Sequence, residues 1–221
     1  MARRRKMYRF EQNKEAYNVI ERGKPLYTTI KGHWLTDYFK NDNPIVVELG
    51  CGRGEYTVGL ATAYPDRNFI GVDIKGDRIA RGSQAALEAG LSNVAFLRTD
   101  VNYLLEFFDE QEVDEVWITF PDPQPRDKQE KHRLTYSSFL TLYKSILKNE
   151  GVLHLKTDHA PFFEYSLQSL PDNGFTIVAS TTDLYQSPLN DMHLGIKTKY
   201  EAMFYAKGFS INYLQSKKGD Q

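Results

Sequence analysis

Ile45-Val46-Val47-Glu48-Leu49-Gly50-Cys51-Gly52-Arg53-Gly54-Glu55 is the stretch that decides the fold. Its first five residues are mostly apolar, as in a strand buried on both faces of a parallel sheet. Three glycines follow at every second position, and a helical pattern over residues 55–64 starts directly after them. Pro65 ends that pattern, because the residue before a proline is pushed out of the helical region. A strand, a glycine loop and a helix in this order let a ligand approach the backbone closely.

Working outward, strand and helix patterns alternate. Residues 68–72, 94–97, 113–119 and 151–155 read as further strands. Helices are predicted over 77–89, with Gly90 as a left-handed cap, and over 162–170, with Pro161 in the first turn. Val101, Leu104, Leu105 and Phe108 follow helical spacing, as do Phe139, Leu140, Tyr143, Ile146 and Leu147. Residues 175–179 and 200–206 complete the set as the last two strands, the final one antiparallel. The fold class is therefore α/β: a doubly wound, mostly parallel, seven-stranded sheet with helices on both faces. Residues 44–210 form this domain. Residues 1–43 read as a basic, aromatic-bearing N-terminal arm and 211–221 as a polar C-terminal tail.

Composition narrows the class. The chain has 221 residues, 41% hydrophobic and 26% charged, which suits one globular domain. No apolar run reaches the roughly 18 residues of a membrane span, so no membrane partner is expected. No apolar segment follows the basic N-terminus as it would in a secretory signal. Cys51 is the single cysteine, which excludes an internal disulfide and a CxxC zinc site. The five histidines are scattered without ligand spacing, so no metal is expected. A cytoplasmic location fits this cysteine usage. Net charge is −1, yet Arg3, Arg4, Arg5, Lys6 and Arg9 crowd the first nine residues, and a second basic cluster spans 126–133. Each cluster alone reads as a solvated face; two on a near-neutral chain suit contact with phosphates.

The glycine loop distinguishes between cofactors through its charges. Asp73 ends the second strand about 20 residues on, where an acid accepts hydrogen bonds from ribose hydroxyls; a helix-capping role is the plainer reading. A pyrophosphate seeks a helix N-terminus free of competing anions. Here Glu48 and Glu55 flank the loop, Glu55 standing where the last glycine of G-x-G-x-x-G would be. That suits a ligand carrying an ammonium and a sulfonium, S-adenosyl-L-methionine, better than a dinucleotide. Asp100, ending the third strand, is placed to reach an adenine amine or to cap the next helix. Cys51 reads as a small loop residue, since no histidine nearby in sequence would activate it.

After the fourth strand comes Thr119-Phe120-Pro121-Asp122-Pro123-Gln124-Pro125-Arg126. Prolines on both sides of Asp122 stiffen the backbone and hold its carboxylate at the end of the sheet where ligands bind. A rigid turn with an Asx bond is the structural alternative.

With these residues in view, the chain resembles the bacterial tRNA (guanine-N7-)-methyltransferase family over most of its length, from about Gly32 to Gly208. The resemblance rests on the glycine loop, Gly71-Val72-Asp73-Ile74, Phe120-Pro121-Asp122-Pro123, Lys131-His132-Arg133-Leu134-Thr135, Lys156-Thr157-Asp158 and Thr198-Lys199-Tyr200-Glu201. It implies a Rossmann-like class I methyltransferase fold and methylation of a tRNA guanine, number 46 of the variable loop by convention. It implies that Glu48, Gly50, Gly52, Gly54, Asp73, Asp100 and Asp122 contact S-adenosylmethionine, Asp122 also being the catalytic carboxylate. Arg126, Asp158, Thr198, Lys199, Tyr200 and Glu201 would meet the guanosine, and Lys128, Lys131, His132 and Arg133 the tRNA. Two departures stand out: Gln124 replaces a usual tryptophan, removing a stacking surface, and Arg126 replaces a usual lysine.

Three other readings share parts of this pattern: a small-molecule or protein methyltransferase, an NAD-dependent oxidoreductase, and a non-enzymatic RNA-binding protein. The first does not need two basic clusters, the second conflicts with Glu48, and the third leaves the acids Glu48, Asp73, Asp100 and Asp122 unused. Either a monomer or a homodimer is compatible with the sequence.

Overall fold

A computed structural model describes residues 2–193 and 195–219 of the protein, apart from the side chains of residues 2–5 and 192. The side chains of Arg3, Arg4 and Arg5 thus lie outside the described residues. The chain divides into two compact units, Met1–Asp109 and Glu110–Gln221.

The first unit holds four parallel strands, β1 (Val19–Ile20), β2 (Ile45–Leu49), β3 (Asn68–Val72) and β4 (Val94–Leu97), in the order β1-β4-β3-β2. Every residue of β2, β3 and β4 is buried, which is why they read as unbroken apolar runs. Helix α2 (Glu55–Ala63) follows β2, and α3 (Gly76–Glu88) follows β3. Gly90 has φ of +66° just beyond α3, as its cap position requires.

Two features of this unit were not visible in the sequence pattern. Helix α1 (Ala2–Glu15) packs on α3, and β1 adds an edge strand beside β4, so the described residues form eight strands rather than seven. Residues 1–43 are therefore tied down at several points. The Asn18 amide donates to the Ser83 carbonyl at 3.1 Å, and the Asn13 amide donates to the Gly76 carbonyl at 2.8 Å. Lys24 donates to the carbonyls of Asn13, Ala16 and Val19, tying the end of α1 to the start of β1. Trp34 is fully buried and donates to the Phe107 carbonyl at 2.8 Å. The segment after Asp100 is a 3-10 helix, Val101–Glu106, not an α-helix. Leu104 and Phe108 are buried as the helical face requires, but Phe107 is buried beside them and Leu105 is exposed, because the turn is kinked at Tyr103.

The second unit holds β5 (Val113–Thr119), α4 (Ser137–Ile146), β6 (Leu147–Thr157), α5 (Ala160–Asp172), β7 (Phe175–Thr181), α6 (Lys199–Tyr205) and β8 (Asn212–Lys218). β5 and β6 are parallel; β8 runs antiparallel to both β6 and β7 and lies between them. An antiparallel last strand is thus present, but not where it was expected. Residues 200–205 are helical, and the strand is formed by residues that read as a polar tail. The tail reading fails because Tyr213, Leu214 and Ser216 are wholly buried. Lys218 keeps its ammonium paired with the Leu147 carbonyl at 2.8 Å, so a polar sequence sits in an inner strand.

Candidate active site

Gly50, Gly52 and Gly54 all adopt left-handed backbone, with φ of +69°, +57° and +68°. The loop closes on itself through the Gly54 N–H to the Cys51 carbonyl, 2.8 Å, and α2 starts from the Gly54 carbonyl. The three glycines differ in surroundings. A Cβ on Gly54 would lie 2.6 Å from the Phe96 ring and 3.0 Å from Gly82 Cα. One on Gly50 would meet nothing within 4 Å, and one on Gly52 only the Gly50 carbonyl at 3.9 Å. Gly54 is a packing glycine. Gly50 and Gly52 keep an open backbone surface that a ligand can approach.

Asp73 ties this loop to the next turn. One carboxylate oxygen accepts from Gly52 N–H at 2.9 Å, the other from Lys75 N–H at 2.7 Å. The capping reading of Asp73 is not met, since α3 starts from Lys75 without a side-chain cap; each Asp73 oxygen keeps a further lone pair. Glu48 is buried at the end of β2 and accepts from the Thr57 hydroxyl in the first turn of α2. Thr57 carried no signal in the sequence beyond its place in α2. Asp100 caps the 3-10 turn, its Oδ1 accepting from the Asn102 backbone at 2.9 Å and side-chain amide at 2.6 Å. Cys51 is buried, and burial, followed by the Glu48 and Asp73 carboxylates, pushes its thiol well up. No thiolate nucleophile is available there.

In the second unit, β5 and β6 run in parallel, with Thr119 opposite Lys156. The loop after β5 is held in an unusual shape: Phe120 and Gln124 both have positive φ, +49° and +46°, on either side of Pro121-Asp122-Pro123. The Phe120 N–H donates to the Lys156 carbonyl at 2.8 Å. Asp122 is exposed, with one Oδ1 contact to the Gln124 N–H at 3.4 Å. Arg126, Lys128, Lys131 and His132 are exposed around the 3-10 turn Asp127–His132. Arg133 differs from them. Its guanidinium lies over the Tyr165 ring at 4.5 Å and its Nε donates to the Gln124 carbonyl at 3.2 Å, bracing the Asp122 loop.

Asp158 follows β6 and does not cap α5. His159 does, its Nδ1 accepting from Phe162 N–H at 3.1 Å. Thr198 and Glu201 form a reciprocal capping box at the start of α6. Glu201 is wholly buried; its carboxylate accepts from the Tyr185 hydroxyl and pairs with the buried Lys156 ammonium at 2.7 Å. The two strong motifs 156–158 and 198–201 are thus joined by one ion pair. Lys156 and Tyr185 had no role evident from sequence, although a lysine closing the apolar run before Thr157 was a signal. Tyr200 is about half exposed. Partial burial and then the nearby Asp158 carboxylate raise its phenol. Among the described residues, no group of three or more His, Cys, Asp or Glu side chains could hold a metal ion, and no helix is long and apolar enough to cross a membrane.

Parallel βα units with a glycine loop and an acid after successive strands define the class, and residues 42–214 match the model of a family described as putative methyltransferases. Solved structures agree in fold: an antibiotic-related methyltransferase (TM-score 0.63, 20% identity, covering 83% of this chain and 91% of that one) and the 16S rRNA methyltransferase KamB (0.63, 13%, 80% and 89%). Curated relatives narrow it further. The tRNA (guanine-N(7)-)-methyltransferase of Cytophaga hutchinsonii is 45% identical over 96% of both chains. That of Christiangramia forsetii is 46% identical over 98% of this chain and 99% of its own, and that of Bacteroides fragilis 50% identical over 84% and 73%. The chain belongs to the tRNA (guanine-N(7)-)-methyltransferase family.

Proposed function

We propose that this protein transfers a methyl group from S-adenosylmethionine to N7 of a guanosine in tRNA, guanine 46 being the family expectation. The observation that carries the proposal is the near full-length identity with relatives of that name. The glycine loop supports the donor half. Gly50 and Gly52 offer open backbone, Asp73 offers acceptors beside it, and Glu48 within β2 and Asp100 after β4 add further carboxylates, an acceptor set suited to ribose hydroxyls and a cationic ligand. S-adenosylmethionine, when bound, supplies a methyl carbon made electrophilic by its sulfonium.

Guanine N7 carries a lone pair, so no side chain has to remove a proton from it. The step calls for positioning and for carboxylates, not for a His or Cys nucleophile. The chain's work is to hold the guanine in line and to stabilise the positive charge the purine gains. Asp122, exposed on a loop with two left-handed residues and two prolines, supplies a carboxylate whose backbone has little freedom. Asp158 is a second candidate for that charge or for the N1–H and exocyclic amine. Arg126, Thr198, Lys199 and Tyr200 complete the proposed guanosine contacts, and Lys128, Lys131 and His132 the tRNA contacts. Arg133 and Glu201 serve by positioning, because their charged groups are already engaged within the protein. N7 lies on the major-groove edge, which in stacked A-form RNA is too deep and narrow for side chains to reach, so the target base is expected to leave its stack before transfer. A cytoplasmic site of action accompanies this proposal.

The test is incubation with unmodified tRNA and labelled S-adenosylmethionine, followed by nucleoside mass spectrometry. The expected product is 7-methylguanosine at one position. Label in a different nucleoside, or stabilisation by NAD in place of S-adenosylhomocysteine, would replace this reading.

A further inference from the structure

An uninterrupted ladder of four aromatic rings runs through the second unit. Phe120, which opens the Asp122 loop, lies 5.9 Å from Tyr200 between ring centres. Tyr200 lies 4.4 Å from Phe204, one helical turn on, and Phe204 lies 5.5 Å from Phe209. Lys207 sits over the Phe204 ring at 5.2 Å. The backbone explains one of these contacts. Gly208 has φ of +84° and the Phe209 N–H donates to the Phe204 carbonyl at 3.2 Å, a helix-ending motif that normally brings two apolar side chains together. It does not explain why so much apolar surface remains in water. Tyr200 is 47%, Met203 46% and Phe209 49% exposed, a concentration unusual for an unoccupied surface.

The charge around the ladder indicates its occupant. Between residues 195 and 210 the single acid is Glu201, which is buried against Lys156, whereas Lys197, Lys199 and Lys207 are all exposed. At the Phe204–Phe209 end the aromatic faces are flanked by lysines with no acid in residues 202–210, which matches a single-stranded polyanion with flat bases, while Asp122 and Asp158, the carboxylates proposed for the target guanine, lie at the Phe120–Tyr200 end. The same lysines would repel a second copy of this face. We infer that the ladder from Phe120 to Phe209 is a stacking track for the unpaired nucleotides next to the target guanosine, with Lys199 and Lys207 on their phosphates. This rests on the tRNA reading above and extends it from the target base to its neighbours.

The test uses the full chain and unmodified tRNA with 2-aminopurine placed singly at the nucleotides flanking the target. Phe209→Leu keeps apolar bulk but removes the ring. Its affinity for tRNA falls about tenfold, within the range for loss of one base–aromatic stack, and fluorescence quenching at one flanking position is lost. Phe209→Trp restores both, and Lys207→Gln lowers the affinity and its salt dependence. Affinity for S-adenosylhomocysteine is unchanged in all three. Wild-type tRNA affinity and quenching in Phe209→Leu would overturn the inference. So would conversion of a wild-type dimer to a monomer in sedimentation with tRNA binding intact, which would make the face a self-association surface. If the wild-type chain binds tRNA and quenches the probe but forms no 7-methylguanosine, the proposed reaction fails and the track stands.

Discussion

Gly50, Gly52 and Gly54 look equivalent in sequence and are not. All three need left-handed backbone, but only Gly54 is closed in by Phe96 and Gly82. Gly54→Ala combines a positive-φ penalty with overpacking and should cost about 2–4 kcal/mol in denaturant unfolding. Gly50→Ala carries only the conformational cost, about 1–2 kcal/mol. Its larger effect should be on S-adenosylhomocysteine affinity by calorimetry, a loss of about tenfold or more as one backbone approach is blocked. Unchanged affinity in Gly50→Ala would mean that the open face is not the cofactor's. Asp122 belongs to the other unit and to another step. Asp122→Asn preserves shape and removes charge, so kcat should fall about 10²–10³-fold, as for loss of one electrostatic stabiliser. Affinity for S-adenosylhomocysteine should meanwhile stay within a factor of about three. Wild-type kcat in this variant would take Asp122 out of the chemistry.

At the scale of elements, strands buried on both faces were legible because apolar runs have one explanation. β2, β3 and β4 fall on the expected residues. What escaped was structure held by polar groups. β1 has two residues, too few for a period, and α1 has a weak apolar face and is fixed by Asn13, Asn18 and Lys24. α6 reads as a strand by its aromatic content, but the Thr198–Glu201 box makes it a helix, and the Lys156 pair fixes it to β6. Nothing local in sequence announces a partner more than 40 residues away. The same holds for His193, which ends the 3-10 segment Pro188–His193 and packs edge-on against Trp117 and Tyr213, at 5.5 and 4.5 Å. Burial, then Lys156 and His154, lowers its pKa to about 3. The unfolded chain binds that proton near pH 6.5 and the folded chain does not. The stability this site contributes is therefore full above about 6.5 and lost as pH falls towards 3, at up to ~1.4 kcal/mol per unit. His193→Phe keeps a ring and removes the titration. Urea midpoints at pH 7.5, 6 and 5 should fall more steeply for wild type than for this variant. Parallel curves would show that His193 already carries its proton in the fold.

The whole molecule has a net charge of −1, so its affinity for a polyanion depends on where its cations lie. One group, Arg126, Lys128, Lys131 and His132, is exposed on the loop that carries Asp122. The other opens the chain, on a helix rather than a loose tail. α1 packs on α3, and Phe10 is held between Lys6, 5.9 Å from its ring centre, and Arg98, 4.8 Å from it. A helical backbone loses less entropy on binding than a tail would. Deleting residues 1–9 removes five cations and spares Phe10 and the polar anchors Asn13 and Asn18. The truncated chain should bind S-adenosylhomocysteine as before and tRNA more weakly. Its plot of log affinity against log salt should flatten by about 0.7–0.9 for each phosphate that is no longer neutralised. Titrations between about 50 and 200 mM salt resolve such a change, because ion pairs with phosphates dominate the slope there. An identical slope with weaker binding at every salt concentration would assign residues 1–9 to bracing α3 instead of holding RNA.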